Sequence, residues 1–576
     1  MSQFNQKEKY WYGPELNQNP IYNSNNGIGD IILAGLKNNL DKISQISDND
    51  DDDDHAENTL TCKEILDKSI CVAHNLSRLG FKQGDVFSII TRNNANVAPI
   101  VFGTFFLGAT LNTLDVTLDE NDLLHIFETV KPKLVFADPI VIDNVKICLA
   151  SLKISANIII FDKSYDNFSQ NMIKVTTLFA EPEIISTNPF FSCSITHPSQ
   201  QIALILCSSG ITGPSKMICL SHSQVISEVL RTWDWSITSS DRCFTFSSLF
   251  WVSGIANLLI STVKGACRVI TTQKYSAELL FKLISKHKIT QLCLASACIP
   301  DVLSYHKKLE ENFDISSLNT IIIGGSMILD QTKDEFRDIL VQGTKVVEVY
   351  GFIELGSITS NTLYGTKKGS IGIVAAQNLV KIINEKGKNL GPGEIGEICA
   401  KNNSKFLGYY NNDALTKETV DSNGWIRSGD LGFFDADGFL FIKGKIKELI
   451  KCKGATISPE TIESKLQERL GIAHICAIRI EDGGKPPIDL PAVAIKIPEN
   501  YTLNEEQIRE IANEEMTDDF ALTGGIYFVN DFPMTPSGKV KRGALKDLAN
   551  GWYKEELKRI ERERRRHEPA PMFFLS

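Results

Sequence analysis

Between residues 86 and 350 the chain repeats one pattern, and that pattern limits the architectures open to it. Short apolar runs at 86–90, 134–137, 158–161, 203–207, 292–295, 320–323 and 346–350 are separated by segments with helical periodicity. Strands alternating with helix-length segments form parallel sheets covered by helices, so this region reads as an α/β fold. A further helical stretch precedes it at 62–79. Residues 97–114 (VAPIVFGTFFLGATLNTL) are apolar but short for a membrane span, and they contain Gly103, Gly108 and Asn112. They read as a buried helix, and no transmembrane segment is expected.

From 369 to 442 the pattern changes. Glycines become frequent, and strands at 379–383 and 396–400 are divided by turns such as Glu385-Lys386-Gly387-Lys388 and Gly391-Pro392-Gly393. This suits a β-barrel-like subdomain. A boundary falls near Gly444, between a strand at 439–442 and a helix start at Ser458-Pro459-Glu460. There Ser458 caps, Pro459 takes the first helical position and Glu460 meets the positive end of the dipole. A chain of 576 residues exceeds one hydrophobic core. The expected architecture is therefore a large α/β N-terminal domain (1–443), with parallel sheets plus the barrel-like part, hinged to a small α+β C-terminal domain (444–576). The acidic run at 48–54 (DNDDDDD) reads as a solvated loop and the charged tail at 551–569 as a solvated helix.

Composition excludes several classes. A net charge of −10 argues against nucleic acid as the partner. The 13 cysteines form no CxxC pair, the opening MSQFNQKEKYWY lacks a signal-peptide core, and no HExxH is present. Free thiols in a reducing compartment are expected, without a zinc site. The final PMFFLS is not the Ser-Lys-Leu peroxisomal address.

Five segments carry chemistry. The run at 203–207 leads into Ser208-Ser209-Gly210-Ile211-Thr212-Gly213-Pro214-Ser215-Lys216. Glycines admit a ligand to the backbone, successive N–H groups and hydroxyls cradle an anion, and Lys216 adds positive charge. The alternative is a Ser/Gly-rich turn. The runs at 320–323 and 346–349 lead into Gly324-Gly325-Ser326 and Tyr350-Gly351-Phe352-Ile353-Glu354. Ligands of α/β sheets sit beyond the carboxyl ends of strands. A carboxylate such as Glu354 beside a phosphate implies Mg²⁺ between the two anions. Asp430, in Gly424-Trp425-Ile426-Arg427-Ser428-Gly429-Asp430, suits ribose hydroxyls or plain turn chemistry. Lys539, in Thr535-Pro536-Ser537-Gly538-Lys539, is placed to meet developing negative charge.

Together and in this order, the five segments resemble the adenylate-forming superfamily of acyl–CoA synthetases, coumarate–CoA ligases and beetle luciferases. The opening WYGP, the SGDLG segment, IKELIK and TPSGK look most like the insect luciferase-like acyl–CoA ligases. The resemblance spans nearly the whole chain and implies two steps: ATP-dependent conversion of a fatty or aromatic carboxylic acid to acyl-AMP, then transfer to CoA. It implies ATP, Mg²⁺ and CoA as cofactors and a small carboxylic acid as partner, and leaves the oligomeric state open. By motif, Ser208, Ser209, Gly210, Thr212, Gly213 and Lys216 line the pyrophosphate and Glu354 holds the metal. Gly325, Ser326, Tyr350 and Gly351 surround adenine, while Asp430 and Lys445 bind ribose. Lys539 serves adenylation, Lys451, Lys453 and Gly454 face the thioester step, and Gly444 is the hinge. Trp251 and Gly254, within Phe250-Trp251-Val252-Ser253-Gly254, border the acyl pocket; the alternative for Trp251 is core packing. Cytoplasm is expected, with the peroxisome of many relatives as the alternative.

The chain departs from the family at Ile211 and Ile353, where threonine is usual, and at Ser215 and Met217. Each lost hydroxyl removes a bond to charged phosphate of about 1.5–3 kcal/mol. Two such losses would slow adenylation roughly 10²–10⁴-fold if independent. A non-catalytic nucleotide- or acyl-binding protein and a luciferase-type oxygenase stand as alternatives to the ligase.

Overall fold

The computed structural model describes residues 2–15, 26–48, 58–161, 172–181, 190–208, 215–233, 237–308, 313–361, 366–452, 455–472, 474–481, 488–498, 501–516, 521–533 and 540–567. The chain forms two compact units. The larger takes Met1–Gly210, Pro214–Ser428 and Gly432–Ile442; the smaller takes Ile211–Gly213, Gly429–Leu431 and Lys443–Ser576.

Among the described residues, two sheets of the larger unit are built mainly from parallel strands. One orders its seven strands as Met217–Ser221, Ile202–Cys207, Thr110–Leu114, Val86–Ile90, Leu134–Ala137, Asn157–Ile160 and Met172–Lys174. All neighbours are parallel except the first pair. The other places Lys345–Phe352, Thr320–Gly324, Gln291–Ala295, Arg242–Thr245, Cys267–Ile270 and Ile43–Ser47 side by side in parallel. Antiparallel strands flank it at both edges. Central strands such as Thr110–Leu114 are buried at every position, as two-sided cover by helices requires. The helices are locally encoded. Cys62–Arg78 starts on a reciprocal capping box, in which Thr61 Oγ1 accepts from the Glu64 N–H and Glu64 accepts from the Thr61 N–H.

The apolar stretch at 97–114 corrects the single-helix expectation. The helix Val97–Leu107 stops at Gly108, whose φ of +75° ends it in the left-handed region, and Thr110–Leu114 continues as a central strand. The glycine-rich region forms a six-stranded sheet with a contribution that local pattern did not reveal. The N-terminal strands Gln3–Asn5 and Tyr10–Tyr12 join Asn378–Ile383, Gly396–Asn402, Ile426–Phe434 and Leu440–Lys445. Trp11 anchors them by stacking on Phe434 at 5.2 Å between centroids. The acidic run also needs correction at its first residue. Asp48 is buried and accepts from Lys286 Nζ at 2.8 Å and from His287, although a solvated loop was expected; residues 49–54 lie outside the described residues.

In the smaller unit, Ile475–Glu481, Asp489–Ile495 and Gly525–Phe528 form a mixed sheet, with Pro459–Leu470 and Glu505–Glu515 packed around its core. Ser458 Oγ caps the first of these helices by accepting from the Thr461 N–H. The terminal helix Arg542–His567 begins before the charged tail. Its Leu545 and Ala549 are fully buried against Cys476, Ile478 and Ala492, so its start is docked and was not legible as such.

Candidate functional site

The strands on either side of the Ser/Gly segment pair as a hairpin. Ile202–Cys207 turns back antiparallel onto Met217–Ser221, and the pairing continues one step beyond the strands. The Ser208 N–H donates to the Lys216 carbonyl at 2.9 Å, and Ser208 Oγ accepts from the Lys216 N–H at 2.8 Å. These bonds close the loop at its base and fix where Lys216 leaves the sheet. His125 Nε2 donates to the Ser215 carbonyl at 3.0 Å and holds the same base from a neighbouring helix. Ser209, Gly210, Thr212 and Gly213, and with them Ile211, lie outside the described residues.

The segment carrying Tyr350 and Glu354 is clamped from several sides. The strand Lys345–Phe352 meets Gly356–Ser360 in a tight turn, with a register shift between Tyr350 and Gly351. A side chain at Gly351 would strike the Gly356 carbonyl, so only glycine lets the two backbones approach. Gln224 Nε2 donates to the Glu354 carbonyl at 2.6 Å, and Glu228 Oε1 accepts from the Ser357 N–H at 3.1 Å. Both come from the helix His222–Trp233. Tyr409 donates from its hydroxyl to Glu354 Oε1 at 2.7 Å. Burial first, and the neighbouring Glu354 carboxylate second, push the Tyr409 phenol far above its ordinary value, so it stays a donor. The Lys216 ammonium faces the Tyr409 ring at 5.3 Å from its centroid. Lys216 and Glu354, far apart in sequence, thus meet on one aromatic residue.

Tyr409 is positioned by its own strand-like contacts. The Cys219 N–H donates to Gly408 O at 3.0 Å and the Tyr410 N–H to Met217 O at 2.7 Å, binding this segment alongside the hairpin. Sequence reasoning missed Tyr409, Gln224 and Glu228. The Gly-Tyr-Tyr at 408–410 was a visible signal for the first, whereas the two helix residues carry none.

Gly325 and Ser326 sit exposed just past Thr320–Gly324, beside the end of the parallel strand that carries Tyr350. Gly325 has a φ of +99°, a turn that glycine alone adopts without strain. Ile353 is half-buried against the main core, which gives it a packing role. Trp251 is half-buried, edge-on to Phe250 at 4.9 Å, and packs against a core cluster. Gly254 is buried where a Cβ would come within 2.1 Å of the Ser248 carbonyl, so close backbone approach already requires it.

In the smaller unit Asp430 is buried and accepts from Lys445 Nζ at 2.7 Å. Burial lowers the Lys445 ammonium, but the Asp430 carboxylate, Glu448 and Glu460 outweigh it and hold Lys445 above its ordinary value. Gly444 lies within the strand Leu440–Lys445 at a φ of +129°. A Cβ there would meet Ser458 and Glu460 at 2.7 Å. Lys451 is exposed, and its N–H donates to Asp489 at 3.0 Å. Lys453, Gly454 and Lys539 lie outside the described residues.

The chain as a whole is similar to known proteins. The chain is 30% identical over 509 residues to probable 4-coumarate–CoA ligase 1 of Dictyostelium discoideum, covering 85% of this chain and 91% of that one. It is 26% identical to a luciferin 4-monooxygenase of Photuris pensylvanica, covering 86% and 90%. Its fold matches the crystal structure of an anthranilate CoA ligase in complex with anthranoyl-AMP, with a TM-score of 0.78 at 20% identity, covering 92% of this chain and 98% of that one. The family model described as AMP-binding enzyme matches residues 37–410, a span that includes Ser208, Lys216, Gly325, Tyr350, Glu354 and Tyr409, and the chain belongs to that family.

Proposed function

We propose that the protein is an acid–thiol ligase that uses ATP to activate a carboxylic acid as acyl-AMP and transfers the acyl group to CoA. The observation that carries this reading is the Lys216–Tyr409–Glu354 arrangement, a cation just past the Ser/Gly segment and an oriented carboxylate that meet on one tyrosine. Lys216 attracts the phosphates, Tyr409 fixes the direction of the Glu354 carboxylate, and Gln224 holds the Glu354 backbone through its carbonyl. Mg²⁺ takes one or two protein carboxylates together with substrate phosphates, and Glu354 supplies such a ligand. When bound, the ion would neutralise charge on the triphosphate.

The remaining assignments follow the family pattern. Ser209, Gly210, Thr212 and Gly213 complete the phosphate loop, and Gly325, Ser326, Tyr350 and Gly351 border adenine. Asp430 and Lys445 take the ribose, and Trp251 with Gly254 borders the acid. Residues 1–443 form the adenylation domain. Residues 444–576 form a mobile domain that supplies Lys539 to adenylation and Lys451, Lys453 and Gly454 to thioester formation. The acid is fatty or aromatic, and the compartment is cytoplasmic, with the peroxisome as the alternative. No helix among the described residues is long and apolar enough to cross a membrane.

The test is pyrophosphate release from ATP and Mg²⁺ across a panel of carboxylic acids, with Lys539→Ala as control. Release that depends on the acid and collapses in the control is expected. Release unaffected by the substitution overturns the assignment. Ile353, turned toward core packing, favours a second reading as a nucleotide-binding protein without turnover. ATP binding by calorimetry with no release would establish that reading, and light emission with luciferins under air would instead favour an oxygenase.

A further inference from the structure

Beneath the region assigned to adenine lies a buried ion pair outside the five sequence segments. Lys333 Nζ is 2.9 Å from Glu348 Oε2, and both side chains are 8% exposed. Lys333 stands one turn into the helix Asp330–Asp338, which follows directly on the Gly325-Ser326 loop. Glu348 lies on the strand Lys345–Phe352, two residues before Tyr350 and therefore on the same face. The Glu348 backbone is fixed independently. Its N–H donates to Asn361 Oδ1 at 2.8 Å, and its carbonyl accepts from the Asn361 N–H at 3.3 Å. Asp330, 3.4 Å from Lys333 Nζ, adds a second carboxylate at the start of the helix. The pair thus ties the far end of the 325–329 loop to the strand that presents Tyr350.

We propose that Lys333 and Glu348 are positioning residues for nucleotide, setting the distance between the Gly325-Ser326 loop and the Tyr350 ring. Two well-packed apolar residues would hold helix to sheet as firmly as a buried ion pair does. What the charged pair adds is a single allowed register between helix and strand. The inference rests on the assignment of this region to adenine.

The test compares wild type, Lys333→Met and the double variant Lys333→Met/Glu348→Gln in ATP calorimetry, steady-state kinetics and thermal melting. Lys333→Met strands a buried carboxylate and is expected to weaken ATP binding at least tenfold, while the KM for the acid stays within threefold. The double variant, with no stranded charge but also no fixed register, is expected to regain the melting temperature while ATP affinity stays at least threefold below wild type; full return of ATP affinity would overturn the proposal. A lowered melting temperature with unchanged ATP affinity would mean a purely structural pair and overturn the proposal. If Lys333→Met does not fold, Lys333→Arg replaces it, since the bulkier fork cannot occupy the ammonium position; unchanged ATP affinity there overturns the proposal as well. Wild-type protein that binds ATP but releases no pyrophosphate overturns the ligase reading while leaving this test intact. Wild-type protein that binds no ATP overturns both.

Discussion

Replacing Tyr409 by Phe removes one hydroxyl and leaves the rest of the residue in place. The ring keeps its contact with the Lys216 ammonium at 5.3 Å, and its buried packing against Phe406 at 5.5 Å is preserved. What is lost is the 2.7 Å bond to Glu354 Oε1. A hydrogen bond to a charged group contributes about 1.5–3 kcal/mol. At 1.36 kcal/mol per factor of ten, the adenylation kcat/KM should fall about 10- to 150-fold. The phenol is held above its ordinary value, so the deficit should be flat from neutral pH to mildly alkaline pH. The assay is acid-dependent pyrophosphate release, measured across a Mg²⁺ titration and across pH. A variant within twofold of wild type at every Mg²⁺ concentration would refute the claim that Tyr409 orients Glu354 for catalysis. A deficit that disappears as pH rises through the mildly alkaline range would refute the protonation argument.

Three more outcomes are expected. His222 is fully buried, its Nδ1 accepts from the Ile28 N–H at 3.2 Å, and burial lowers its value to about 4. The unfolded chain takes up this proton near pH 6.5 and the folded one only near pH 4, so stability present above pH 6.5 is lost as pH falls through that window, by about 3 kcal/mol. His222→Asn keeps an acceptor for Ile28 and should flatten the loss in melting curves; an unchanged acid slope would count against this group. Gly254→Ala drives a methyl into the Ser248 carbonyl and should cost about 1–3 kcal/mol or more in denaturant unfolding, with or without an acid present. Ile353→Thr restores the hydroxyl usual in the family and, on the proposed ligase reading, should raise pyrophosphate release about 10- to 150-fold; no gain would mean that Ile353 serves packing alone.

The sequence alone determined a good deal here, for a physical reason. Strand and helix periodicity is a local property, so the parallel α/β character and the runs at 86–90 and 134–137 could be read directly, and those two ended where expected. Loop chemistry is local as well. Glycines, hydroxyls and a carboxylate at strand ends made Ser208, Gly325, Tyr350 and Glu354 candidates before any contact was known. The apolar stretch at 97–114 misled because buried helices and buried central strands share a composition, and only Gly108 divides them.

Tertiary structure decided what depends on residues far apart in the chain. Tyr409 and Lys216 are nearly 200 positions apart, yet they meet because the 408–410 segment pairs with the edge of the hairpin. Gln224 and Glu228 look like ordinary helix residues until the Glu354 turn is laid against them. The N-terminal strands find their sheet through Trp11, which stacks on Phe434 more than 400 residues later. Asp48 belongs to an acidic run by sequence and to a buried cluster by structure, because Lys286 and His287 arrive from another helix end. Local pattern fixes what each segment is; which segments satisfy one another's charges and hydrogen bonds is settled only when the sheets bring them together.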